Sequence, residues 1–264
     1  MEEEAHQLLS AGDIDGARAA LVEVVRQKPA DQPARMFLFQ LLALVGEREK
    51  AAKQLGMLAQ LSPEAQMLAV AYSRALAAED QREMVFSGKA DMPLAVHSDW
   101  AVKLAEAIGH FAAGRTAQGE ACREDAFDAA PDCAGTIDGK PFDWIADADS
   151  RFGPSFEAII NGQYGLVPFD QVESIVSEGP RDLRDLVWYP VQIAMRSGQS
   201  VAGFIPTRYP GTENANDGGL RLARATDWVD CDWGQSGQGQ RLWVLSNDDE
   251  VGLLSVRELA FDPV

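Results

Sequence analysis

Two stretches decide the fold: Ala11–Pro29, AGDIDGARAALVEVVRQKP, and Val45–Pro63, VGEREKAAKQLGMLAQLSP, which match at a spacing of 34 residues. Gly12 aligns with Gly46, Ala17 with Ala51, Leu21 with Leu55 and Pro29 with Pro63. Each matched position has a physical reason. Gly permits the turn between two helices, Ala lets two helix axes approach, and Pro closes the unit because it cannot continue the hydrogen-bond ladder. Between the stretches, Phe37, Leu38, Leu41, Leu42 and Val45 recur at helical spacing. Gly114 and Pro131 return three periods beyond Gly12 and Pro29. The unit between, about 64–98, keeps a helical first half (Met67, Leu68, Ala71, Tyr72, Leu76) and loses the repeat residues near Met84–Pro93. Two good repeats, a degenerate one and a partial one read as a tetratricopeptide-like (TPR-like) array of helical hairpins. So short a stack needs a cap on its last apolar face, and the second half is expected to supply it.

From about Gly135 the texture changes. Short β-prone runs alternate with turn residues: Tyr164–Phe169, Leu186–Ile193, Val201–Ile205, Gln240–Ser246 and Gly252–Leu259. Phe156–Asn161 reads as a short helix after Pro154, Pro206–Glu213 as a loop, Asn216–Gly219 as a surface turn, and Gly234–Gly239 as a flexible hairpin tip. The expected fold class is α+β in two parts. Residues 1–134 form TPR-like helical repeats, and residues 135–264 form an α+β domain on a small antiparallel, barrel-like sheet.

Composition narrows the function. Apolar residues make up 46% and charged residues 24%, an ordinary globular balance. The net charge of −18 is spread over both halves, and the pI is near 4.5. Such a field repels nucleic acid and anionic membrane surfaces and attracts a basic partner; an ordinary acidic surface is the plainer reading. No run of about 18 apolar residues is present, so no membrane insertion is expected. The acidic opening Met1-Glu2-Glu3-Glu4 is unlike a signal peptide, and Cys122, Cys133 and Cys231 are widely spaced. The expected compartment is the cytoplasm.

Two groups of residues are candidates for function. The repeat frame places Met36, Gln40, Met67, Val70, Arg74, Leu104, Ile108 and Phe111 near the inner, concave helix faces. They read either as an apolar groove for a partner helix, with methionines as adaptable contacts, or as packing on the second half and on neighbouring helices. The second group is Asp143, Asp147 and Asp149 with Arg151. The spacing lacks the Gly and the closing Glu of an EF-hand. The favoured reading is a structural polar network in which Arg181, Arg184 or Arg208 forks onto the carboxylates. The alternative is a metal-assisted hydrolase using Asp147, Asp149 and Arg151. His6, His97 and His110 form no HExxH pair and Ser236 no nucleophile elbow, so neither a metal nor a cofactor is expected. Trp228 and Trp233, flanked by Asp227, Asp230 and Asp232, are a candidate aromatic and acidic contact patch.

Five segments then occur in order: DWIADADSRFGP (143–154), INGQY (160–164), VPF (167–169), RDLRDLVW (181–188) and RYPGTE (208–213). In that order and spacing they resemble the hallmark segments of the ImpE/TagJ/SciE family, and the helical first half fits that family too. The resemblance implies a non-catalytic accessory protein of bacterial type VI secretion. It implies binding to the small sheath subunit through a helix near that subunit's N-terminus, and a link to the ATPase that dismantles contracted sheath.

Overall fold

A computed structural model describes residues 2–263; Met1, the first residue of the acidic opening, and Val264 lie outside it. The first half is helical: α1 (Glu2–Ser10), α2 (Ile14–Gln27), α3 (Gln32–Leu44), α4 (Arg48–Ala59), α5 (Pro63–Phe86), α6 (Asp99–Ala112) and α7 (Thr116–Ala129). Helices α1 and α2, α3 and α4, and α6 and α7 pack as neighbouring pairs. The 34-residue spacing has a visible cause. Gly12 and Gly46 both take a left-handed conformation, φ +84° and +74°, where one residue reverses the chain between paired helices. Ala17, Leu21, Ala51 and Leu55 are completely buried at the helix contacts. The prolines act differently from expectation: Pro63 opens α5, and Pro29 stands in the loop before the Asp31 cap of α3. A first-turn proline forgoes only an N–H that the helix leaves unpaired in any case.

The degenerate third unit is one uninterrupted 24-residue helix. Where the period calls for a third turn glycine the chain has Asp80, so α5 continues to Phe86 and turns only at Gly88. The added turns carry Arg82 into the second half. The segment after α5 then lies beside a strand, with Ala95 N–H donating to Leu166 O at 2.8 Å and Leu166 N–H to Pro93 O at 2.9 Å.

The second half comprises β1 (Gly135–Ile137), β2 (Lys140–Phe142), β3 (Ile145–Asp147), β4 (Ser155–Ile160), β5 (Gln163–Pro168), β6 (Val172–Val176), β7 (Trp188–Met195), β8 (Ser200–Pro206), the single-turn α8 (Gly218–Arg221), β9 (Thr226–Cys231), β10 (Gly234–Gly239), β11 (Leu242–Leu245), β12 (Glu250–Gly252) and β13 (Glu258–Phe261). All strand pairs are antiparallel. An eight-stranded sheet runs β2-β1-β13-β6-β7-β8-β4-β5, a three-stranded sheet runs β12-β11-β3, and β9 pairs with β10 alone. Phe156–Asn161, expected as a helix, is strand β4 with its turn: buried on nearly every residue, it lacks the alternation of a half-exposed strand, and periodicity alone does not separate such a run from a helix. Gly234–Gly239 is not a flexible tip but β10, paired along its whole length with β9. Trp243 is completely buried between the three-stranded and eight-stranded sheets, against Phe156 and Phe169.

Helices and sheet share one apolar core, which runs from Ala5 to Leu222 and includes Phe152, Ile159, Tyr164, Trp188 and Tyr209. Tyr72 of α5 sits with its ring 5.6 Å from Trp188, 5.5 Å from Phe204 and 5.9 Å from Phe39. Polar bonds join the halves as well. Arg208 donates to Leu44 O at 3.0 Å and Arg221 O at 2.7 Å, closing the C-terminal end of α3. Arg224 does the same for α1 through Ser10 O and Leu9 O, at 3.1 and 3.0 Å. A cation at a helix C-terminus satisfies free carbonyls and complements the helix dipole. No helix among the described residues is long and apolar enough to cross a membrane.

Replacing Arg208 by Ala leaves the Leu44 and Arg221 carbonyls without this donor in a buried site. The expected loss is about 3 kcal/mol of unfolding free energy, read by urea denaturation of Arg208→Ala against the wild type.

Candidate functional site

Glu157 stands on β4, whose other positions are apolar or small, and its side chain is completely buried. Such a carboxylate demands cations. Arg82 of α5 supplies a paired contact, Nε to Oε1 at 2.7 Å and Nη2 to Oε2 at 2.8 Å, and also donates to Arg208 O at 2.8 Å. Arg241, itself completely buried, donates one nitrogen to Glu157 and another to Asp147. Tyr164 donates its hydroxyl to Glu157 at 2.5 Å. Tyr209 donates to Asp147 Oδ1 at 3.0 Å, which also accepts the Asp149 N–H at 2.9 Å. Asp149 is forked by Arg151 and accepts the Gly237 N–H at 2.8 Å.

Burial alone would raise the Glu157 pKa, but Arg82 and Arg241 together outweigh it and hold the carboxyl down at about 2. Asp147 goes the other way, to about 7: burial dominates, Arg241 is shared with Glu157, and Asp149 adds a second negative charge. Burial likewise raises the Tyr164 and Tyr209 phenols, which therefore stay protonated as donors.

The acidic cluster is thus a saturated ion network with arginine on its oxygens. Among the described residues no group of three or more His, Cys, Asp or Glu side chains could hold a metal ion. With their oxygens taken by N–H and O–H donors, Asp147 and Asp149 offer a cation nothing free. The arginines differ from expectation. Arg181 pairs with Glu178 and Arg184 with Asp182, in a short segment that closes on itself, while Arg208 binds carbonyls. None of the three reaches Asp147 or Asp149: Arg241, just ahead of β11, pairs with Asp147, Arg151 pairs with Asp149, and Arg82 of α5 pairs with the neighbouring Glu157. Asp143 is exposed and outside the cluster. Reading by residue spacing found Asp147, Asp149 and Arg151 and missed Glu157, Arg82, Arg241, Tyr164 and Tyr209. The signal available was a lone acid inside the apolar run SFEAII, which buried needs a guanidinium.

The eight groove candidates divide. Leu104 and Ile108 are 0% and 1% exposed, and Phe111 and Gln40 are buried too. Helix α6 turns the apolar face of Leu104, Ile108 and Phe111 onto α7 and the core, and Gln40 is buried on α3, so these four do not present a surface. Met36 is half-buried against the core. Met67 and Val70, by contrast, are 80% and 58% exposed. With Ala71 and Arg74 they form one face of α5, at positions i, i+3, i+4 and i+7. Ala71 and Arg74 of that face line a pocket of about 300 Å3 completed by Ile159, Pro190, Val191, Ala202, Gly203 and Phe204, and Met67 and Val70 stand on the same helix face beside it. A second depression of about 500 Å3 shares Pro190 and Val191 and continues past Tyr72 to Val176 and Arg181. Together they make an open trough between the first turns of α5 and the face of β6, β7 and β8, apolar at its α5 end and lined at the other by Glu178, Arg181, Asp182, Arg184 and Asp185. Trp228 and Trp233 are half-buried, not an exposed patch: Trp228 lies 5.9 Å from the Tyr209 ring, and Trp233 packs on Phe111 at 5.0 Å with Arg151 over its ring.

Comparison with known proteins follows the same outline. The sequence profile described as ImpE protein matches residues 139–260. A Pseudomonas aeruginosa protein, the type VI secretion system accessory component TagJ, is 40% identical over 262 residues, covering 98% of this chain and 91% of that protein. A Vibrio parahaemolyticus protein solved by X-ray crystallography matches with a TM-score of 0.88 over 98% of both chains, at 21% identity, a likeness of fold.

The two buried acids give opposite pH dependences. Glu157 contributes stability that is present above about pH 4.5 and lost as pH falls through about 2. Asp147 binds its proton more tightly folded than unfolded, so its contribution is complete below about pH 3.8 and lost as pH rises through about 7. Asp147→Asn is neutral throughout. Its unfolding free energy relative to wild type is expected to rise by about 3 kcal/mol between pH 4 and pH 8, measured by denaturant titration at each pH.

Proposed function

The chain belongs to the ImpE/TagJ family of type VI secretion accessory proteins, and from that membership we propose that it is a non-catalytic cytoplasmic adaptor that binds the small sheath subunit of the secretion machine. The observation that carries this reading is the trough beside α5. An exposed stripe of Met67, Val70, Ala71 and Arg74 on a helix next to an apolar sheet face suits the apolar side of an amphipathic partner helix, as in other helix-in-groove complexes. Methionine is suited to such a surface because its unbranched thioether adapts to the shape presented. A helix near the N-terminus of the sheath subunit is the proposed occupant, and coupling to the ATPase that dismantles sheath is the proposed consequence.

In the same reading, residues 1–134 act as a TPR-like array and residues 135–264 as a barrel-like α+β domain that braces it. Positive-φ glycines at 12, 46 and 114 support the array, and the enclosure of Trp243 between two sheets supports the barrel-like packing. The shared core makes the brace rigid, so the trough is held open by both parts. What weighs against the hydrolase alternative is that Asp147, Asp149 and Arg151 bond to one another and to Arg241, Tyr209 and Gly237.

A synthetic peptide of the cognate sheath subunit's N-terminal helix is expected to bind one to one in a calorimetric titration. Met67→Asp and Val70→Asp, both at exposed positions and so neutral to folding, are expected to weaken it at least about tenfold, equivalent to about 1.4 kcal/mol each. Undiminished binding by both variants would remove the peptide from this trough.

A further inference from the structure

The hairpin of β9 and β10 has one anchored strand and one open one. On β10, Gly237 N–H points to Asp149 and Gly239 N–H to Thr212 Oγ1 at 2.9 Å, both away from β9. Backbone direction alternates along an antiparallel strand, so Ser236 and Gln238 are the β10 residues that bond across the ladder, opposite Val229 and Asp227. The outward backbone groups of β9 are therefore those of Trp228 and Asp230. No strand pairs with that edge among the described residues. The outward Trp228 N–H is met only by the side chain of its neighbour Asp227, at 2.9 Å, an acceptor that an arriving strand can replace.

Three exposed aspartates surround this edge, Asp227 on β9, Asp230 on β9 with its carboxylate accepting from Gln235 Nε2 of β10 at 2.9 Å, and Asp232 in the turn that follows, and none forms an ion pair among the described residues. Val229 between them is 45% exposed. Below, Trp228 and Trp233 fasten the hairpin to Tyr209, Phe111 and Arg151, so the edge is preformed rather than ordered on contact. An exposed edge is an unfilled template for main-chain hydrogen bonds, and the charges on it decide which chains are admitted.

We infer that the outer edge of β9 takes up an extended, basic segment of a partner chain by strand addition. Outward Trp228 and Asp230 supply the main-chain bonds, Val229 an apolar contact, and the three aspartates select lysine or arginine. This surface is separate from the trough, and the inference stands without the helix-binding reading.

The test is an NMR titration of the intact protein with the peptide acetyl-Lys-Val-Lys-Thr-Lys-Val-amide at low ionic strength, beside the same peptide N-methylated at alternate residues. Saturable shifts confined to residues 226–232, at least tenfold weaker with the N-methylated peptide, are expected. Asp230→Pro removes an outward N–H while leaving the bonds to β10 in place, and is expected to weaken binding by a similar factor. Asp227→Asn with Asp232→Asn, which alters no backbone, is expected to weaken it severalfold and to flatten its salt dependence. Equal affinity for the methylated peptide would mean charge attraction alone and overturn the inference. So would an absence of shifts in β9, or self-association of the doubly neutralised variant without peptide binding, which would make the aspartates guards of the edge.

Discussion

Glu157 has no solvent at its carboxylate, and the two guanidinium groups that compensate it arrive from opposite halves of the chain, Arg82 from α5 and Arg241 from the residue just ahead of β11. Each alone would be a buried charge of high cost, and removing one partner of such a set leaves the others uncompensated. The set closes only when α5 lies against β4 and the Arg241 segment lies between β4 and β3. A register slip of one residue on β4 would turn Glu157 to the opposite face and separate it from both arginines. The relative placement of helices and sheet is therefore tied to this cluster as well as to the apolar core around it.

Other features follow from that placement. With α5 docked, Tyr72 meets Trp188 and Phe204, and the exposed side of the same helix is left beside β7 and β8 as the trough. Arg208, whose carbonyl accepts from Arg82, is aimed by the same contact at the end of α3. Asp149, one step further along the chain of acids, holds Gly237 and so fixes β10 and the open edge of β9. A continuous series of bonds thus runs from the helical half to the hairpin, and two dissimilar surfaces are positioned by one buried assembly.

How far the sequence discloses this depends on the range of the forces involved. The helical hairpins were legible because turn glycines and close-contact alanines obey a local period, and Gly12 and Gly46 occupy the positions that the period assigns. Strands β5, β7, β8 and β11 were legible as β-prone runs bounded by turn residues, whereas β6, β9 and the glycine-rich β10 were not. Strand β4 was not, because an uninterrupted buried run lacks the alternation that marks a half-exposed strand. The ion network was half legible: Asp147, Asp149 and Arg151 are close in sequence, but Arg82, Glu157 and Arg241 are 75 and 84 residues apart and meet only through topology. The groove candidates divide: Met67, Val70 and Arg74 stay exposed on α5, while others are packed. Leu104, Ile108 and Phe111 follow the period, yet their face is taken by α7 and the shared core.

The broken third repeat is where the departure from periodicity has its use. A turn glycine at position 80 would have ended α5 before Arg82, and the second half would have met a helix end instead of a guanidinium. With Asp80 there, the helix runs on: its first turns expose Met67 and Val70, and its last turns carry Arg82 to Glu157. One long helix therefore joins a surface that is free to bind to the most deeply buried charges in the molecule. A helix this firmly held at its C-terminal end presents its N-terminal face with little freedom to reorganise, and a preorganised face loses less conformational entropy when a partner docks.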